Sequence, residues 1–277
     1  MLSQHQHLDQ VAKEALRRSL PPAWWRWLQI AKLALERRTF ARRWVEHTYA
    51  GHPLRVLLGD RVGSSWYDQD WTMPELSILR SGRLRPGATV FNIGAHQGVV
   101  AMILAREVGR TGRVIAVEAD AFHAGLAEVN RSANGIDQMI VRHAAAGAVA
   151  GTLTHDATTG AIQTARARGS AVPALTIDAL SAEYGAPDVI YMDVEGYEGA
   201  AFRGATATLA AGTVDVLVEV HGPWLARYSS SVTELLAAFP DSDYRRASVN
   251  DAGIDPRPLE TVAAECPRFI LIAQGRH

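Results

Sequence analysis

Four polar side chains follow two predicted strands at a spacing suited to acid–base chemistry. Asp193 and Glu195 come at the end of one apolar run, and Glu219 and His221 come at the end of another. Residues two apart share a face in an extended chain, and parallel strands end at one edge of a sheet, where α/β proteins bind ligands. We therefore expect the four side chains to meet. His221 is the best single base because its ordinary pKa is near neutral, and Asp193 would orient it.

The same groups allow a second chemistry. Asp193, Glu219 and His221 offer hard oxygen and nitrogen donors of the kind that Mg²⁺ and Mn²⁺ accept. The sequence favours proton transfer without a metal, and a divalent ion is the less favoured alternative. Two structural interpretations compete with both, because Glu195 can cap the following helix and His221 can be an ordinary loop histidine ahead of Pro223.

A glycine-bearing turn lies upstream of these residues. The apolar run at 90–93 ends in GAHQG at 94–98, and an apolar, helix-spaced segment follows. In a strand–turn–helix unit the helix start presents unpaired N–H groups, and Gly94 lets a ligand approach the main chain. A second run ends in Glu118, about twenty residues after Gly98, where an acid can bind both hydroxyls of a ribose. The GxxxG spacing predicts a nucleoside site without a tightly bound pyrophosphate, which S-adenosylmethionine fits.

Composition excludes several classes of protein. The 277 residues are 48% hydrophobic, which suits one α/β domain with an N-terminal extension. The net charge of −1 gives no general attraction to nucleic acid. No lysine follows Lys32, which excludes a Walker loop and the Tyr-x-x-x-Lys pair of short-chain dehydrogenases. The single cysteine, Cys266, cannot form an internal disulfide, and no signal-peptide pattern is present, so we expect a cytoplasmic protein.

Strand and helix patterns alternate through the core, which predicts a mostly parallel sheet with helices on both faces. Strands are expected at 89–93, 113–118, 139–143, 188–193 and 214–220, and helices at 98–108, 121–134, 178–184, 197–211 and 231–239. Segments 148–155 and 171–177 are expected to add a small hairpin and a strand. Segments 244–249 and 269–273 are expected to close the chain as a β-hairpin.

Residues 1–70 form a predicted helical extension with one short strand at 54–58, ahead of a domain at 71–277. A helix expected at 23–48 carries tryptophans between arginines. Such a helix can lie on an anionic membrane surface. Because apolar helix faces are usually buried in protein, we expect packing on the domain or a homo-oligomer through these helices, without membrane contact.

Five segments together resemble the FkbM-type methyltransferases: FNIGAHQG at 91–98, VEAD at 117–120, LTIDAL at 175–180, DVEGYE at 193–198 and VEVH at 218–221. The resemblance covers residues 70–222. It implies a class I methyltransferase (Rossmann-like) fold with a mostly parallel seven-stranded sheet and helices on both faces. It also implies S-adenosylmethionine as methyl donor and S-adenosylhomocysteine as product. Family activities are mostly O-methylation of sugar or polyketide hydroxyls, which implies a small hydroxylated acceptor in natural-product biosynthesis.

The resemblance also implies a cofactor site. Its residues are Asn92, Gly94, Ala95, His96, Gly98, Glu118, Ala119, His143, Ala144 and Asp193. In this assignment Gly94 and Gly98 lie under the methionine part of the cofactor, and Glu118 holds its ribose. The turn after the third strand lies along the edge of the adenine. Asn92 departs from the family, which usually has aspartate there. An asparagine still bonds to the turn or to the methionine amine, but without a negative charge.

Two other classes of function stay open at this point. One is an NAD-linked oxidoreductase, against which the GxxxG spacing and the scarcity of lysine argue. The other is a catalytically silent cofactor-binding scaffold, against which Glu118 and the segment 193–195 argue. The acceptor pocket is expected in loops 64–71, 155–169 and 223–231. Its aromatic residues, which are equally consistent with core packing, are Trp66, Tyr67, Trp71 and Trp224.

Overall fold

The computed structural model describes residues 21–163, 169–250, 253–262, 265 and 267–274. The chain divides into two compact units, Met1–Ala41 and Arg42–His277. The predictions for residues 1–20, for residues 164–168 and for Cys266 lie outside the described residues. Among the helices that the structure describes, none is both long and apolar enough to span a membrane.

The first unit contains helix α1 (Pro22–Thr39). Pro22 stands in its first turn, where the missing N–H would have no helical partner. The chain becomes extended at Phe40, with ψ of 122°. The prediction of a helix over 23–48 is therefore wrong beyond Thr39, because the following residues form a strand.

The second unit begins with a hairpin of β1 (Arg43–Tyr49) and β2 (His52–Leu58). Its two-residue turn, Ala50 and Gly51, has positive φ at both positions, 51° and 88°. Such turns match the twist of paired strands. The strand predicted at 54–58 is confirmed. Helix α2 (Arg61–Tyr67) follows and extends into 64–71, which the sequence predicted to be a loop. Asp60 caps this helix by accepting a hydrogen bond from the N–H of Gly63.

Eight strands of the second unit, counted over the described residues, form one sheet. They are β3 (Thr89–Ile93), β4 (Arg113–Glu118), β5 (Met139–His143), β10 (Val189–Met192), β11 (Asp215–Glu219), β12 (Tyr244–Asn250), β13 (Gly253–Asp255) and β14 (Arg268–Ala273). The strand order is β13-β12-β14-β11-β10-β3-β4-β5. The five strands from β11 to β5 are parallel, and β14, β12 and β13 are antiparallel additions. Parallel strands are buried on both faces, which explains continuous apolar runs such as Val114 to Val117.

Helices connect these strands. They are α3 (Glu75–Ser81), α4 (Val99–Val108), α5 (Ala121–Ala133), α6 (Ile177–Tyr184), α7 (Glu198–Arg203), α8 (Thr206–Ala210), α9 (Gly222–Leu225), α10 (Val232–Ala237) and α11 (Leu259–Val262). Side-chain caps fix several starts. Asp120 caps α5 and Thr176 caps α6, each accepting a hydrogen bond from a first-turn N–H.

The second unit also contains a smaller, separate sheet with strand order β6-β9-β7-β8. Its strands are β6 (Ala145–Ala146), β7 (Gly151–Asp156), β8 (Ala161–Gln163) and β9 (Ser170–Leu175). Strands β7 and β8 form a hairpin over 151–163, where the sequence predicted one at 148–155, and β9 is the extra strand, which ends at Leu175 rather than at 177.

The predicted architecture is confirmed, with two corrections. The sheet has eight strands rather than seven, because the short β13 adds to the edge of β12. The helix predicted at 197–211 is two helices, α7 and α8, which separate at Gly204. A Cβ there would lie 2.1 Å from the carbonyl oxygen of Gly147, so only glycine permits this close passage of the two backbones.

Candidate active site

The turn after β3 is built around two glycines. Gly94 and Gly98 have φ of 85° and 84°, which is the left-handed region, and His96 between them has φ of 48°. A Cβ on Gly94 would lie 1.7 Å from the carbonyl oxygen of Asp193, and one on Gly98 would lie 2.9 Å from Cβ of Ala127. Gly94 therefore lets the turn lie directly against the end of β10, and Gly98 lets α4 start against α5.

Glu118, at the end of β4, is held by the backbone of this turn. Its Oε2 accepts a hydrogen bond from the N–H of His96 and its Oε1 accepts one from the N–H of Asp120, each at 2.7 Å. The residue is only 8% exposed. Each carboxylate oxygen has a second lone pair. The side chain is therefore fixed in orientation and still able to accept from a diol.

His143 and Ala144 lie against the end of β4, and Asn92 lies on β3. Ala144 donates its N–H to the carbonyl of Glu118 at 3.0 Å, and the exposed ring of His143 lies 3.2 Å from the carbonyl of Ala119. Asn92 is 1% exposed, and its Oδ1 accepts no hydrogen bond from any described residue. A buried acceptor without a partner is costly, so this oxygen suits a ligand with an N–H donor.

The four predicted catalytic residues do come together. Nε2 of His221 lies 3.4 Å from Oε2 of Glu195, 3.8 Å from Oδ1 of Asp193 and 3.9 Å from Oε1 of Glu219. We call Asp193, Glu195, Glu198, Glu219 and His221 the acidic cluster. Its members come from the ends of the adjacent parallel strands β10 and β11 and from α7. The cluster therefore lies next to the turn of Gly94.

Glu198 is a member that the sequence reasoning missed. Its carboxylate is fully buried, and Oε1 lies 2.8 Å from Nδ1 of His221 and accepts a hydrogen bond from the N–H of Gly196 at 3.0 Å. Its place in the segment DVEGYE could have indicated that Glu198 belongs to the site. A glutamate in the first turn of a helix is, however, ordinarily explained by its favourable interaction with the helix dipole.

The electrostatics of the cluster are dominated by its carboxylates. Burial alone would lower the pKa of His221, but the hydrogen bond with Glu198 and the charges of Asp193, Glu198 and Glu195 raise that pKa to about 9. Burial, followed by the charge of Glu219, raises the pKa of Asp193 well above its usual range. Burial also raises the pKa of Glu195 and of Glu219. The surrounding carboxylates thus favour the protonated form of His221.

Backbone strain accompanies this arrangement. Glu195 has φ of 53° and Gly196 has φ of 95°. A Cβ on Gly196 would lie 2.7 Å from Cβ of Trp224, whose ring stacks on His221 at 5.4 Å with an interplanar angle of 17°. Strained non-glycine residues are concentrated at functional sites. The left-handed turn carries Glu195 toward His221 while Trp224 covers the ring.

A second polar group borders the cofactor turn. Oδ2 of Asp60 lies 2.7 Å from Nε2 of His123, and its Oδ1 accepts a hydrogen bond from Nε2 of Gln97 at 3.1 Å. The rings of His123 and His96 are 3.9 Å apart, and Trp66 lies 5.2 Å from His96. Burial by itself raises the pKa of Asp60, but the hydrogen bonds with His123 and the N–H of Gly63 outweigh it and lower that pKa to about 2. Sequence reasoning did not connect Asp60 with His123.

The strand order, the glycine turn and the acid after the second core strand define a class I methyltransferase. A family model described as the methyltransferase FkbM domain matches residues 92–246. The chain therefore belongs to the FkbM methyltransferase domain family. No curated protein matches the sequence at a significant level.

Three solved structures illustrate the structural similarity. A methyltransferase FkbM from Methylobacillus flagellatus KT is 16% identical, with a TM-score of 0.44, over 66% of this chain and 43% of that chain. An O-methyltransferase from Bacillus cereus in complex with SAH is 19% identical, with a TM-score of 0.42, over 73% of this chain and 78% of that one. An O-methyltransferase from Thermotoga maritima is 13% identical, with a TM-score of 0.44, over 85% and 78%. The chain thus spans less than half the length of the first.

Proposed function

We propose that this methyltransferase moves the methyl group of S-adenosylmethionine to a hydroxyl group of a small molecule. The observation that carries the proposal is the contact between two features: the glycine turn braced by Glu118, and the acidic cluster at the ends of β10 and β11. Gly94 brings them together, since its φ of 85° and lack of a Cβ permit contact with Asp193. One feature suits a nucleoside, and the other suits the handling of a proton.

The cofactor assignment follows from the donors and acceptors that face this turn. The carboxylate of Glu118, held by two backbone N–H groups, would accept hydrogen bonds from the two hydroxyls of a ribose. The buried Oδ1 of Asn92 suits the ammonium of the methionine part. His143 and Ala144, next to Glu118, would lie along the edge of the adenine ring. When bound, the cofactor supplies a methyl group already activated on a sulfonium.

The acceptor assignment rests on proton balance. As the C–O bond forms and the C–S bond breaks, an alcohol must lose its proton to a base, and a metal ion bound to the oxygen can make that loss easier. The acidic cluster offers both routes. In one, His221 in its neutral form, or a carboxylate of raised pKa, takes the proton. In the other, Asp193, Glu219 and His221 bind a divalent ion. The residues align the hydroxyl by hydrogen bonds, which is most of what an activated methyl group requires.

We further propose a sugar, polyketide or related natural-product intermediate as acceptor. Trp224 next to His221, and Trp66 next to His96, provide flat apolar surfaces at the two sides of the site. Aromatic faces of this kind suit the apolar face of a sugar ring or a polyketide chain.

A ligand screen tests the cofactor assignment. Thermal unfolding should shift upward with S-adenosylmethionine and S-adenosylhomocysteine, and not with NAD. Purified protein should then release S-adenosylhomocysteine when a panel of hydroxylated compounds is added, and matched compounds in which the hydroxyl is replaced by hydrogen should be inert. A shift with NAD alone would support the oxidoreductase alternative. Cofactor binding with no turnover of any acceptor would support the silent scaffold.

A further inference from the structure

The acidic cluster has interatomic distances that hydrogen bonds do not explain. The separations of 3.8 and 3.9 Å from Nε2 of His221 to Asp193 and Glu219 are too long for hydrogen bonds. One ligand atom from each of the three residues nevertheless lies within 4.8 Å of the others. Ligands of a single cation at bond lengths of about 2.0–2.6 Å stand about 3–4 Å apart. The spacing therefore leaves room for an ion between them.

His221 is oriented as a metal ligand. It is 6% exposed, and the buried Glu198 holds its Nδ1 at 2.8 Å. Its Nε2 faces three carboxylates, Glu195 at 3.4 Å, Asp193 at 3.8 Å and Glu219 at 3.9 Å. Metal-binding histidines almost always donate their other ring N–H to a carboxylate or carbonyl, which fixes the tautomer and turns the free nitrogen toward the metal. Glu198 occupies that position.

Asp193 supplies a second, independent observation. Although 39% of its side chain is exposed, its Oδ1 is buried and accepts no hydrogen bond from any described residue. Its backbone is fixed, because its N–H bonds to the carbonyl of Ile93 at 2.9 Å. A buried carboxylate oxygen without a donor is costly unless something positive binds it.

The charge balance favours a cation. Four carboxylates surround a single imidazole. Arg268, the antiparallel register partner of Glu219, also binds the fully buried Glu75, at 3.1 Å, so its charge is shared. Carboxylate oxygens with one imidazole nitrogen suit Mn²⁺ or Mg²⁺.

We propose that Asp193, Glu219 and His221 bind one divalent cation, with Glu198 as the residue that positions His221. Binding of the cation does not depend on any reaction, but a catalytic use of the cation rests on the proposed function. There the ion would hold the acceptor hydroxyl and lower its pKa, so that its proton could pass to Glu195 or to water as the C–O bond forms and the C–S bond breaks.

Manganese binding to the full-length protein tests this directly. Chelator-treated protein is titrated with Mn²⁺ alone, and free Mn²⁺ is followed by electron paramagnetic resonance. We expect one site per chain. Asp193→Asn and Glu219→Gln should each weaken it at least tenfold, and Glu198→Gln should weaken it about 10–100-fold. Asp137→Asn, at a side chain that is 86% exposed, is the matched control and should bind as the unmodified protein does.

Calorimetry with S-adenosylhomocysteine on the same variants separates the two proposals. Thermal unfolding followed by circular dichroism, which does not depend on the cofactor site, shows whether each variant is folded. No Mn²⁺ site in the unmodified protein, or a site that Asp193→Asn and Glu219→Gln leave unchanged, would overturn the metal proposal and leave the proposed function standing. A Mn²⁺ site lost in both variants, in a protein that binds no S-adenosylhomocysteine, would uphold the metal site and overturn the proposed function.

Discussion

Nδ1 of His221 and Oε1 of Glu198 are 2.8 Å apart, and this contact joins the end of β11 to the start of α7. Both side chains are buried, so the bond is protected from water. It leaves only Nε2 of His221 facing the crevice. The chemistry of the site depends on what that nitrogen meets, whether a hydroxyl proton or a metal ion.

Replacing His221 should therefore affect the reaction more than cofactor binding. With an acceptor found in the screen, His221→Ala should lower turnover about a hundredfold or more and change S-adenosylhomocysteine affinity little. Steady-state kinetics and calorimetry measure the two. Inactivation by EDTA with rescue by Mn²⁺ would assign the residue to a metal, whereas insensitivity to EDTA would assign it to proton transfer. Full activity of the variant would remove His221 from both roles.

The ribose role of Glu118 predicts a large loss of cofactor affinity. Glu118→Ala removes a carboxylate that both braces the turn and faces the diol, so S-adenosylhomocysteine binding should weaken by about 2–3 kcal/mol. Glu128→Ala, at a half-exposed position on α5, is the control. Calorimetry that finds equal affinity in the two variants would exclude Glu118 from the ribose site.

Asp60 should make stability fall in acid. Its folded pKa of about 2 lies below the unfolded value of 3.8, so its contribution is fully present above the unfolded pKa and is lost as pH falls through the folded one. The shift of roughly two pH units corresponds to about 2 kcal/mol. Urea unfolding at pH 7 and at pH 3 should show Asp60→Asn less stable at pH 7, with the gap narrowing at pH 3. An equal gap at both pH values, or none, would contradict this. Asp137→Asn is again the control.

Two glycine-to-alanine changes should have opposite effects. Gly94→Ala places a methyl group where a Cβ would lie 1.7 Å from the carbonyl oxygen of Asp193, in a left-handed backbone, so it should destabilise the fold by more than about 3 kcal/mol. Gly125→Ala, on the exposed side of α5 with no atom within 4 Å of the new Cβ, should stabilise by about 0.5–1 kcal/mol. Denaturant midpoints measure both, and a tolerated Gly94→Ala would refute the close approach.

Two truncations test the boundary between the units. Deletion of residues 1–41 removes the first unit and should leave a monodisperse protein that binds S-adenosylhomocysteine. Deletion of residues 1–48 also removes most of β1, which exposes the edge of β2 and should cause aggregation. Sedimentation velocity distinguishes them. Identical behaviour of the two would show that β1 is dispensable.

The sequence predicts the core strands well because glycine turns and apolar runs delimit them, and β3, β4 and β5 begin and end where expected. It fails at 43–48 because Trp44 and Val45 fit a helical as well as an alternating pattern, and the turn at Ala50 is not the usual Asn-Gly. It also fails at Gly204, because one glycine in a helical pattern rarely signals a break.

The site was predictable where it follows from strand ends and was missed where it depends on tertiary contacts. That Asp193 and Glu219 lie near one another follows from two adjacent parallel strands. The pairing of Glu198 with His221 spans 23 positions and that of Asp60 with His123 spans 63. Local pattern carries no information about such pairs. The roles of these residues stay predictions that the experiments above address.

The place of β14 in the sheet has a consequence for synthesis. β14 (268–273) lies between β11 and β12, both of which leave the ribosome before it. Until it emerges, the nascent chain presents the bare edge of β11 beside the acidic cluster, and Glu75 lacks the guanidinium of Arg268. Unpaired strand edges of this kind invite misassociation and chaperone binding. This edge of the sheet is therefore completed only when β14 inserts between β11 and β12.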